Sequence, residues 1–483
     1  MSIRHARLVE AAGLALGLAG AAVAQPITIT KLVLQGENAG GVGLATLIDN
    51  LAVNNSGQWL VECDTDNPNT TIDQVILKSG LLFLQAGQPL TAPAGATISS
   101  FDAVNLSNTG HSGWNFFLSG AVTGSTDSGM FYDSTLIFQE STISTATGFS
   151  PNTPYIGFFE SKVNDLNQLL VVASVDDPAI ASTVDRGLVV ISYNAALGTF
   201  TETVLAKEGD ILPGLGGALT DFGTGPHQFA FNNAGDAMFI ADAPTDAIYK
   251  NMTQLAMVGA ASPIAGRNWS SLLTGGVDMN SAGSTVFVGT LAGDTATDNI
   301  IIKNGTKFIQ EGDPAPGSLA AFTVQGFGTA RIVQISDAGD VLWFGDWSDA
   351  NTAIDTGLFL NDRLLVQEGV TMIEGMTVFS IAGGQDAFAM SDNGRFIIFE
   401  ATLTDGVTQR NGAFLIEVPQ AACYANCDSS TAPPILNVND FICFQNLFAA
   451  SSTVANCDGS TTPPILNVND FTCFLNAFAA GCT

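Results

Sequence analysis

Oxygen-bearing side chains recur at alternate positions near the C-terminus of the chain. They occur in two copies of one unit, 30 positions apart, which share the nonapeptide PPILNVNDF. A hard cation prefers six to eight oxygen ligands, and alternate spacing lets one loop direct several of them to a single point. The pattern therefore predicts a calcium site in each copy, with ligands Asn426, Asp428, Ser430, Asn437 and Asp440 in the first and Asn456, Asp458, Ser460, Asn467 and Asp470 in the second.

A helix is predicted after each loop, because phenylalanines recur there at three- and four-residue spacing and so share one face. They are Phe441, Phe444 and Phe448, then Phe471, Phe474 and Phe478. Six of the seven cysteines fall in the same segment, a density typical of a small exported module held by disulfides. Repeat symmetry favours the pairs Cys427–Cys443, Cys457–Cys473 and Cys423–Cys482. Six cysteines allow 15 connectivities, and a disulfide-held module that binds no metal is the alternative.

The two copies resemble the dockerin repeat, a paired loop–helix relative of the EF-hand found on secreted bacterial proteins. Asn stands at the usual first Asp position, Ser stands at the third ligand position, and a Pro-Pro pair widens each loop. With two carboxylates per loop, we expect weak calcium binding, on the order of 10⁻⁴ M or poorer. The resemblance implies that the tail docks onto a cohesin-like or cell-surface protein through the start of each helix, at Val438 and Asn439 or at Val468 and Asn469.

The rest of the chain carries no recognisable catalytic motif. Its histidines, His5, His111 and His227, are too few for a histidine metal cluster, and no G-x-S-x-G, H-E-x-x-H or phosphate-binding G-K-S/T sequence occurs. Carboxylates could act in pairs, as in glycosidases. The candidates recur at equivalent places in several units, which is more typical of a hairpin turn: Glu140, Glu208, Asp210, Glu311, Asp313 and Glu368. No catalytic residue is therefore assigned.

The region from Ile27 to Pro419 is one repeated unit. An apolar strand, a polar tight turn and a second apolar strand recur seven times, about 56 residues apart, and a second strand–turn–strand phrase alternates with the first. Each turn ends in a residue that tolerates positive φ: Gly57, Gly110, Asn167, Gly235, Gly283, Gly339 or Gly394. Four-stranded units at such a period are typical of a β-propeller.

The two ends of this region complement each other. Segment 29–43 has the second strand of a hairpin without the first, and segment 412–419 has a first strand without its second. Pairing them would leave no free sheet edge. We therefore predict a mostly β fold, a seven-bladed β-propeller over residues 25–419, followed by a small α-helical, disulfide-linked, dockerin-like module over residues 420–483. A six- or eight-bladed ring and an open β-solenoid are the alternatives.

The N-terminus has the layout of an export signal. Arg4 and Arg7 precede a short apolar stretch and the small-x-small sequence at 22–24, so residues 1–24 are expected to be removed. No long uncharged apolar run follows, so no membrane span is expected. With 15 basic and 45 acidic residues the chain repels phosphate backbones and anionic lipid, which argues against nucleic-acid and membrane partners.

These features favour a secreted protein, extracellular or attached to a cell surface, whose propeller presents a face to a polysaccharide or protein ligand while its tail tethers it. The alternative is a secreted carbohydrate-active enzyme, a glycoside hydrolase or lyase, which rests on analogy between folds. Geometry separates the two. Paired carboxylates and aromatic side chains at the central mouth would favour hydrolysis, whereas backbone and small residues would favour binding.

Overall fold

A computed structural model describes residues 27–102, 104–182, 184–194, 196–419, 424–428, 430, 435–460 and 463–481. Strands from Thr28 to Glu417 form seven antiparallel sheets, and two helices lie near the C-terminus. The predicted signal peptide lies outside the described residues. The domain boundaries at 25, 419 and 420 stay predictions.

The strands follow the chain blade by blade, apart from β1 (Thr28–Leu34), which belongs to blade 7. Blade 1 contains β2 (Asn38–Ala39), β3 (Gly43–Val53), β4 (Trp59–Thr65), β5 (Gln74–Lys78) and β6 (Leu81–Gln85). Blade 2 contains β7 (Ala96–Asp102), β8 (Gly113–Gly120), β9 (Ser128–Tyr132) and β10 (Thr135–Gln139). Blade 3 contains β11 (Tyr155–Val163), β12 (Gln168–Val175), β13 (Asp185–Asn194) and β14 (Thr199–Lys207).

In each of the other four blades, the inner strand is divided into two shorter strands. Blade 4 contains β15 (Asp221–Phe222), β16 (Phe229–Phe231), β17 (Ala237–Asp242), β18 (Ala247–Lys250) and β19 (Thr253–Met257). Blade 5 contains β20 (Trp269–Ser271), β21 (Val277–Met279), β22 (Thr285–Leu291), β23 (Asn299–Lys303) and β24 (Thr306–Gln310). Blade 6 contains β25 (Val324–Gly326), β26 (Val333–Ile335), β27 (Val341–Trp347), β28 (Thr356–Leu360) and β29 (Arg363–Gln367). Blade 7 contains β30 (Met372–Ile373), β31 (Met376–Ile381), β32 (Phe388–Met390), β33 (Phe396–Thr404), β34 (Gln409–Glu417) and β1.

The hydrophobic core lies between the blades. Central strands such as β22 and β27 are buried along almost their whole length, because both faces of each sheet pack on a neighbour. Seven apolar clusters fill the seven interfaces, each with residues from two adjacent blades. The apolar runs of the sequence are therefore explained by the burial of both faces of each sheet.

The ring closes through the two ends of the propeller region. Strand β1 pairs antiparallel with β34, with Thr28 opposite Glu417 and Leu34 opposite Gly412. The N-terminal strand thus completes the last blade, as the complementary ends predict. Six- and eight-bladed rings and an open solenoid are excluded.

The seven predicted turn residues all have positive φ, from 58° at Asn167 to 89° at Gly339. Four of these turns begin with an asparagine, and each of these asparagines also links its blade to the next one. In blade 4, for example, Asn232 Oδ1 accepts from the backbone N–H of Asp236, and its Nδ2 donates to the carbonyl of Asn280 in blade 5 at 2.8 Å. The polar turn sequence therefore fixes both the hairpin and the spacing between blades.

The tail contains helices α1 (Val438–Ala449) and α2 (Val468–Ala480). Each begins with a capping box, formed by Asn437 and Asp440 in α1 and by Asn467 and Asp470 in α2. The predicted phenylalanine faces meet, and the rings of Phe444 and Phe474 stack with centroids 4.3 Å apart. The two copies therefore share one small core.

Candidate binding site at the mouth of the central channel

The central channel is closed at the end where the seven turns meet. Asn108 Nδ2 of blade 2 and Asn233 Nδ2 of blade 4 each donate to Asp392 Oδ2 of blade 7 at 2.7 Å. Neighbouring turns are also joined, since the backbone N–H of Asn108 donates to Asp165 Oδ1 at 2.7 Å. Residues of this polar ring, Asp165, Asn233 and Asp392 among them, line a cavity of about 120 Å³ to which six blades contribute.

At the opposite end, the innermost strand is split in two in blades 4 to 7. Strands β15 and β16 both pair with β17, and the same division occurs at β20 and β21, at β25 and β26, and at β31 and β32. The interruptions are residues 223–228, 272–276, 327–332 and 382–387, which we call the mouth loops. Interruptions of this kind re-aim side chains at the rim of a barrel or ring.

Hydrogen bonds between blades hold the mouth loops in place. The backbone N–H groups of Thr329 and Ala330 donate to the carbonyl of Gly383 at 3.1 and 3.0 Å. The N–H of Gly276 donates to the carbonyl of Arg331 at 3.1 Å, and Gln228 Nε2 donates to that of Leu273 at 2.5 Å. The loops are therefore a preorganised surface that spans four blades.

The mouth loops enclose a cavity of about 240 Å³. Its walls are mainly small or uncharged: His227, Gln228, Leu273, Thr274, Gly275, Gly276, Thr329, Ala330 and Gln385. The His227 side chain is 12% exposed, and its Nε2 atom is buried without a hydrogen-bond partner. Asp386 Oδ1 lies 3.8 Å from Nε2, too far for a hydrogen bond. A buried polar atom without a partner is uncommon in a folded protein.

Burial, together with the positive charge of Lys162, lowers the pKa of His227 to about 3, so the imidazole is neutral at neutral pH. Burial raises the pKa of Asp386 to about 6, against the opposing effect of Lys162 and with further raising by Asp49 and Asp102. A neutral imidazole therefore lines the cavity, and the carboxyl group of Asp386, whose pKa is raised to about 6, lies 3.8 Å from it.

Two further buried acidic residues of the propeller, Glu62 and Glu160, have raised pKa values. Burial raises the pKa of Glu62 to about 8, although Asn50 Nδ2 donates to its carboxylate at 2.6 Å. Burial also raises the pKa of Glu160, with Lys162 opposing and Asp386 adding to the effect. Glu62 recurs as Glu400 at the end of the corresponding phrase in blade 7, where burial also raises the pKa and Asn411 Nδ2 donates to the carboxylate at 2.7 Å.

The carboxylates singled out from the sequence are dispersed over several blades. Asp210 and Asp313 each accept a backbone N–H three residues earlier, and Glu140 accepts that of Asp127 at 3.0 Å. Glu368 accepts from the Thr356 hydroxyl. Their repetition is thus explained by hairpin geometry. Glu311 differs, because it also lines a cavity between blades 5, 6 and 7.

His111 occupies a turn, as the sequence indicates. Its Nδ1 lies 2.7 Å from Asp133 Oδ2, and its ring stacks on Tyr132 with centroids 5.1 Å apart. The carboxylate of Asp133 also accepts the N–H of Ser112 at 2.9 Å. His111 therefore ties two hairpins of blade 2 together and lies apart from His227.

In the tail, the predicted calcium ligands surround each loop but are also bonded to one another. Asp440 is buried and accepts the backbone N–H groups of Asn437 at 2.8 Å and Asp428 at 3.2 Å. Asn426 Nδ2 donates to the carbonyl of Ser430 at 2.9 Å. The second copy repeats these bonds with Asp470, Asn467, Asp458, Asn456 and Ser460.

One observation fits a cation in the second loop. Asn456 Oδ1 is buried and has no hydrogen-bond partner, which leaves one oxygen for a metal. Within the described residues, no group of three or more His, Cys, Asp or Glu is placed to hold a metal ion. A cation here would therefore depend on Asn and Ser oxygens together with two carboxylates.

Two of the predicted disulfides are present, Cys427–Cys443 and Cys457–Cys473, each with Cα atoms 5.7 Å apart. Cys423 and Cys482 lie outside the described residues, so their pairing stays a prediction. Cys63 is a free, buried cysteine on β4.

Sequence reasoning missed the mouth loops, although a signal for them exists. Sequences that contain glycine interrupt the inner strand in four units. They are GTGPHQ from residue 223, LLTGG from residue 272, FGTARI from residue 327 and AGGQDA from residue 382. They interrupt apolar strands without forming a hairpin, which distinguishes them from the turns. His227, Asp386 and Arg331 all lie in these segments.

A model of a family of unknown function, DUF7453, matches residues 18–255. No curated protein sequence matches the chain. Among solved structures, the chain is similar to the polysaccharide lyase Uly1 at 9% identity, covering 80% of this chain and 91% of that one with a TM-score of 0.35. It is similar to YCF48 bound to D1 peptide at 8% identity, covering 82% and 97% with a TM-score of 0.32. It is also similar to the sialidase of Trypanosoma rangeli at 8% identity, covering 81% and 59% with a TM-score of 0.28. These similarities concern the fold alone.

No helix in the described part of the chain is long and apolar enough to span a membrane.

Proposed function

We propose that the chain is a secreted binding protein whose propeller takes a hydroxyl-rich ligand, a polysaccharide or a part of one, at the open mouth of its channel. The observation that carries this proposal is the cavity of His227, built where four inner strands are interrupted. Its walls offer neutral hydrogen-bonding groups and backbone, and His227 Nε2 has no partner within the protein. Sugar hydroxyl groups can both donate and accept, so they suit such walls.

A glycan-array screen on the full chain tests this function. Replacing His227 by Ala should weaken binding at least 10-fold, because a buried acceptor or donor to the ligand is lost. His111→Ala is the matched control, since this histidine lies in a turn of blade 2 and should leave affinity unchanged. Absence of binding to any glycan would refute the proposal.

A carbohydrate-active enzyme is the second candidate. Asp386, whose pKa is raised to about 6, could release or take up a proton near neutral pH, and the neutral His227 lies 3.8 Å from it. Phe, Tyr and Trp are absent from the described walls of the His227 cavity, which favours binding there. A neighbouring cavity contains Glu311 and Asp346 together with Phe327 and Phe344, which keeps hydrolysis as the second candidate. Product analysis on every glycan that binds would decide, because a lyase or hydrolase releases shorter chains whereas a binding protein leaves them intact.

We infer that the tail tethers the protein to a cohesin-like or cell-surface partner. Val438 and Val468, at equivalent positions in the two helices, are 67% and 73% exposed, and Ile442 and Leu475 are also exposed. Exposed apolar side chains in this arrangement suit a docking face. Replacing Val438 and Val468 by Asp together should abolish capture by a cohesin-type partner, whereas Val407→Asp, at an exposed propeller position, should not.

We further infer that each tail loop binds calcium weakly through its Asn, Ser and Asp oxygens. Calorimetric titration should give heat at millimolar calcium, and Asp428→Asn with Asp458→Asn should remove it. Magnesium provides the control ion, because it demands a tighter octahedral site. Absence of heat with intact disulfides would leave the module held by its cystines alone.

A further inference from the structure

A second cavity adjoins that of His227 and differs from it in chemistry. It has a volume of about 400 Å³ and lies between blades 5, 6 and 7. The two cavities share Thr329 in their walls. Charged side chains line the second one, namely Glu311, Arg331 and Asp346. A ligand longer than one sugar could therefore occupy both.

Among the residues that line this cavity, Asp346 has a side-chain oxygen without a hydrogen-bond partner. Its Oδ1 atom is buried and accepts no hydrogen bond. The residue lies on β27, where its backbone is opposite Gly326 and Thr356, so neighbouring strands fix its position. Burial raises its pKa, and the charges of Asp355 and Glu368 raise it further. A carboxylate in such surroundings is stabilised by an incoming positive charge.

The other charged groups of the cavity already have partners. Arg331 Nη1 donates to the hydroxyls of Thr274 at 3.0 Å and Thr290 at 3.1 Å, towards blade 5. Among the described residues no ion pair joins Arg331 to a carboxylate. Glu311 accepts from the backbone N–H of Asn299 at 3.0 Å and from its Nδ2 at 2.8 Å. Of the two carboxylates that line the cavity, Asp346 is therefore the one with an oxygen to which no group of the protein donates.

Arg331 has a φ of 51°, a left-handed conformation that is uncommon for a residue with a side chain. Its backbone carbonyl accepts from Gly276 of blade 5, and the preceding Ala330 donates to Gly383 of blade 7. Strain of this kind persists where the surroundings fix it, and it is concentrated at functional sites. The strained residue lines the second cavity, two positions after Thr329, which both cavities share.

A bare metal ion does not suit Asp346, because no set of three or more His, Cys, Asp or Glu in the described residues is placed to hold one. A ligand hydroxyl could donate one hydrogen bond but would leave the negative charge uncompensated. An ammonium group supplies three donors and a positive charge together. The residues of the cavity therefore favour an amine.

Building on the proposed function, we propose that this cavity receives an unsubstituted amino group of the ligand, which is an oligosaccharide of amino sugars in deacetylated form, with Asp346 as its acceptor. The first cavity then binds hydroxyl groups of a neighbouring sugar. This assignment names the class of polysaccharide that the mouth recognises.

Calorimetry on the full chain with two matched probes tests the assignment, a glucosamine tetrasaccharide and its N-acetylated counterpart. The aminated probe should bind at least 10-fold tighter. Asp346→Asn, which keeps the shape of the side chain, should reduce its affinity to that of the acetylated probe. Asp362→Asn, at an exposed hairpin, is the control and should preserve the preference.

The outcomes separate this inference from the function on which it rests. Equal affinities, or a preference that survives Asp346→Asn, would mean that Asp346 does not accept from the amino group and would overturn the inference while leaving glycan binding in place. Binding of other glycans but of neither tetrasaccharide would do the same. Failure to bind any glycan would overturn both. If Asp346→Asn does not fold, the comparison of the two probes on the parent chain decides alone.

Discussion

Asp392 of blade 7 and Asn233 of blade 4 meet across the axis of the propeller, with Asn233 Nδ2 donating to Asp392 Oδ2 at 2.7 Å. Asn108 of blade 2 donates to the same oxygen. One carboxylate thus connects three blades that are not adjacent. It joins the turns at the end of the propeller opposite the mouth loops.

Replacing Asp392 by Ala should destabilise the propeller, because two hydrogen bonds to its carboxyl group are lost and Asn233 Nδ2 is left without an acceptor, although Asn108 Nδ2 keeps its bond to Asp165 Oδ2. We expect a fall in the free energy of unfolding on the order of 2 kcal/mol or more. Denaturant midpoints at a constant m-value measure it. Asp362→Ala, on an exposed hairpin, is the control. Equal midpoints for the two variants would contradict a role of Asp392 in ring stability.

The buried carboxyl groups of the channel predict an unusual pH dependence. Glu62 is 2% exposed and has a pKa of about 8, above the 4.5 of the unfolded chain, so the folded state binds its proton more tightly. Stability contributed by this group is complete at low pH and is lost as pH rises towards 8. His227, with its lowered pKa, acts in the opposite sense but only below about pH 6.5.

Between pH 6.5 and 8 the free energy of unfolding should therefore fall as pH rises, by up to about 1.4 kcal/mol per pH unit for each such group. Glu62→Gln should reduce this slope, since glutamine mimics the protonated acid at all pH values. Glu417→Gln, at a side chain that is 46% exposed, should leave the slope unchanged. A parent protein whose stability rises over this range would show that Glu62 is ionised in the folded state.

Gly275 sets the shape of the mouth. A Cβ atom there would lie 2.2 Å from the carbonyl oxygen of Val288, a backbone atom of the central strand in blade 5. Gly275→Ala should therefore displace the mouth loop and weaken glycan binding at least 10-fold. Gly384→Ala is a matched control in the mouth loop of blade 7, because a Cβ atom added there would meet nothing within 4 Å. Unchanged binding by Gly275→Ala would remove this loop from the site.

Much of the fold follows from the sequence, and the site does not. Repetition fixes the blades, because every unit must bury both faces of its sheet, and the incomplete hairpins at residues 29–43 and 412–419 predict the closure by β1 and β34. A site, in contrast, depends on departures from the repeat. His227, Asp346 and Asp386 do not belong to the repeated pattern, and the role of each depends on the residues of other blades that surround it. Spacing along the chain carries no information about contacts across the ring.

The tail provides the last prediction, which concerns how a small module is held. Phe474 is fully buried and stacks on Phe444, whereas the adjacent Leu475 is 51% exposed. Phe474→Ala should cost about 3 to 5 kcal/mol of module stability, as is usual for a buried aromatic residue. Leu475→Ala should cost little, because its side chain already contacts solvent.

Limited proteolysis followed by mass spectrometry measures this difference without interference from the larger propeller. With disulfides intact, cleavage between residues 424 and 481 should be much faster in Phe474→Ala than in Leu475→Ala. Reduction of Cys427–Cys443 and Cys457–Cys473 should then accelerate cleavage in the parent chain as well. Each disulfide closes a short loop, which should stabilise the folded module by about 3 kcal/mol. If Phe474→Ala resists proteolysis like the parent until the disulfides are reduced, the cystines and not the phenylalanine core hold the module.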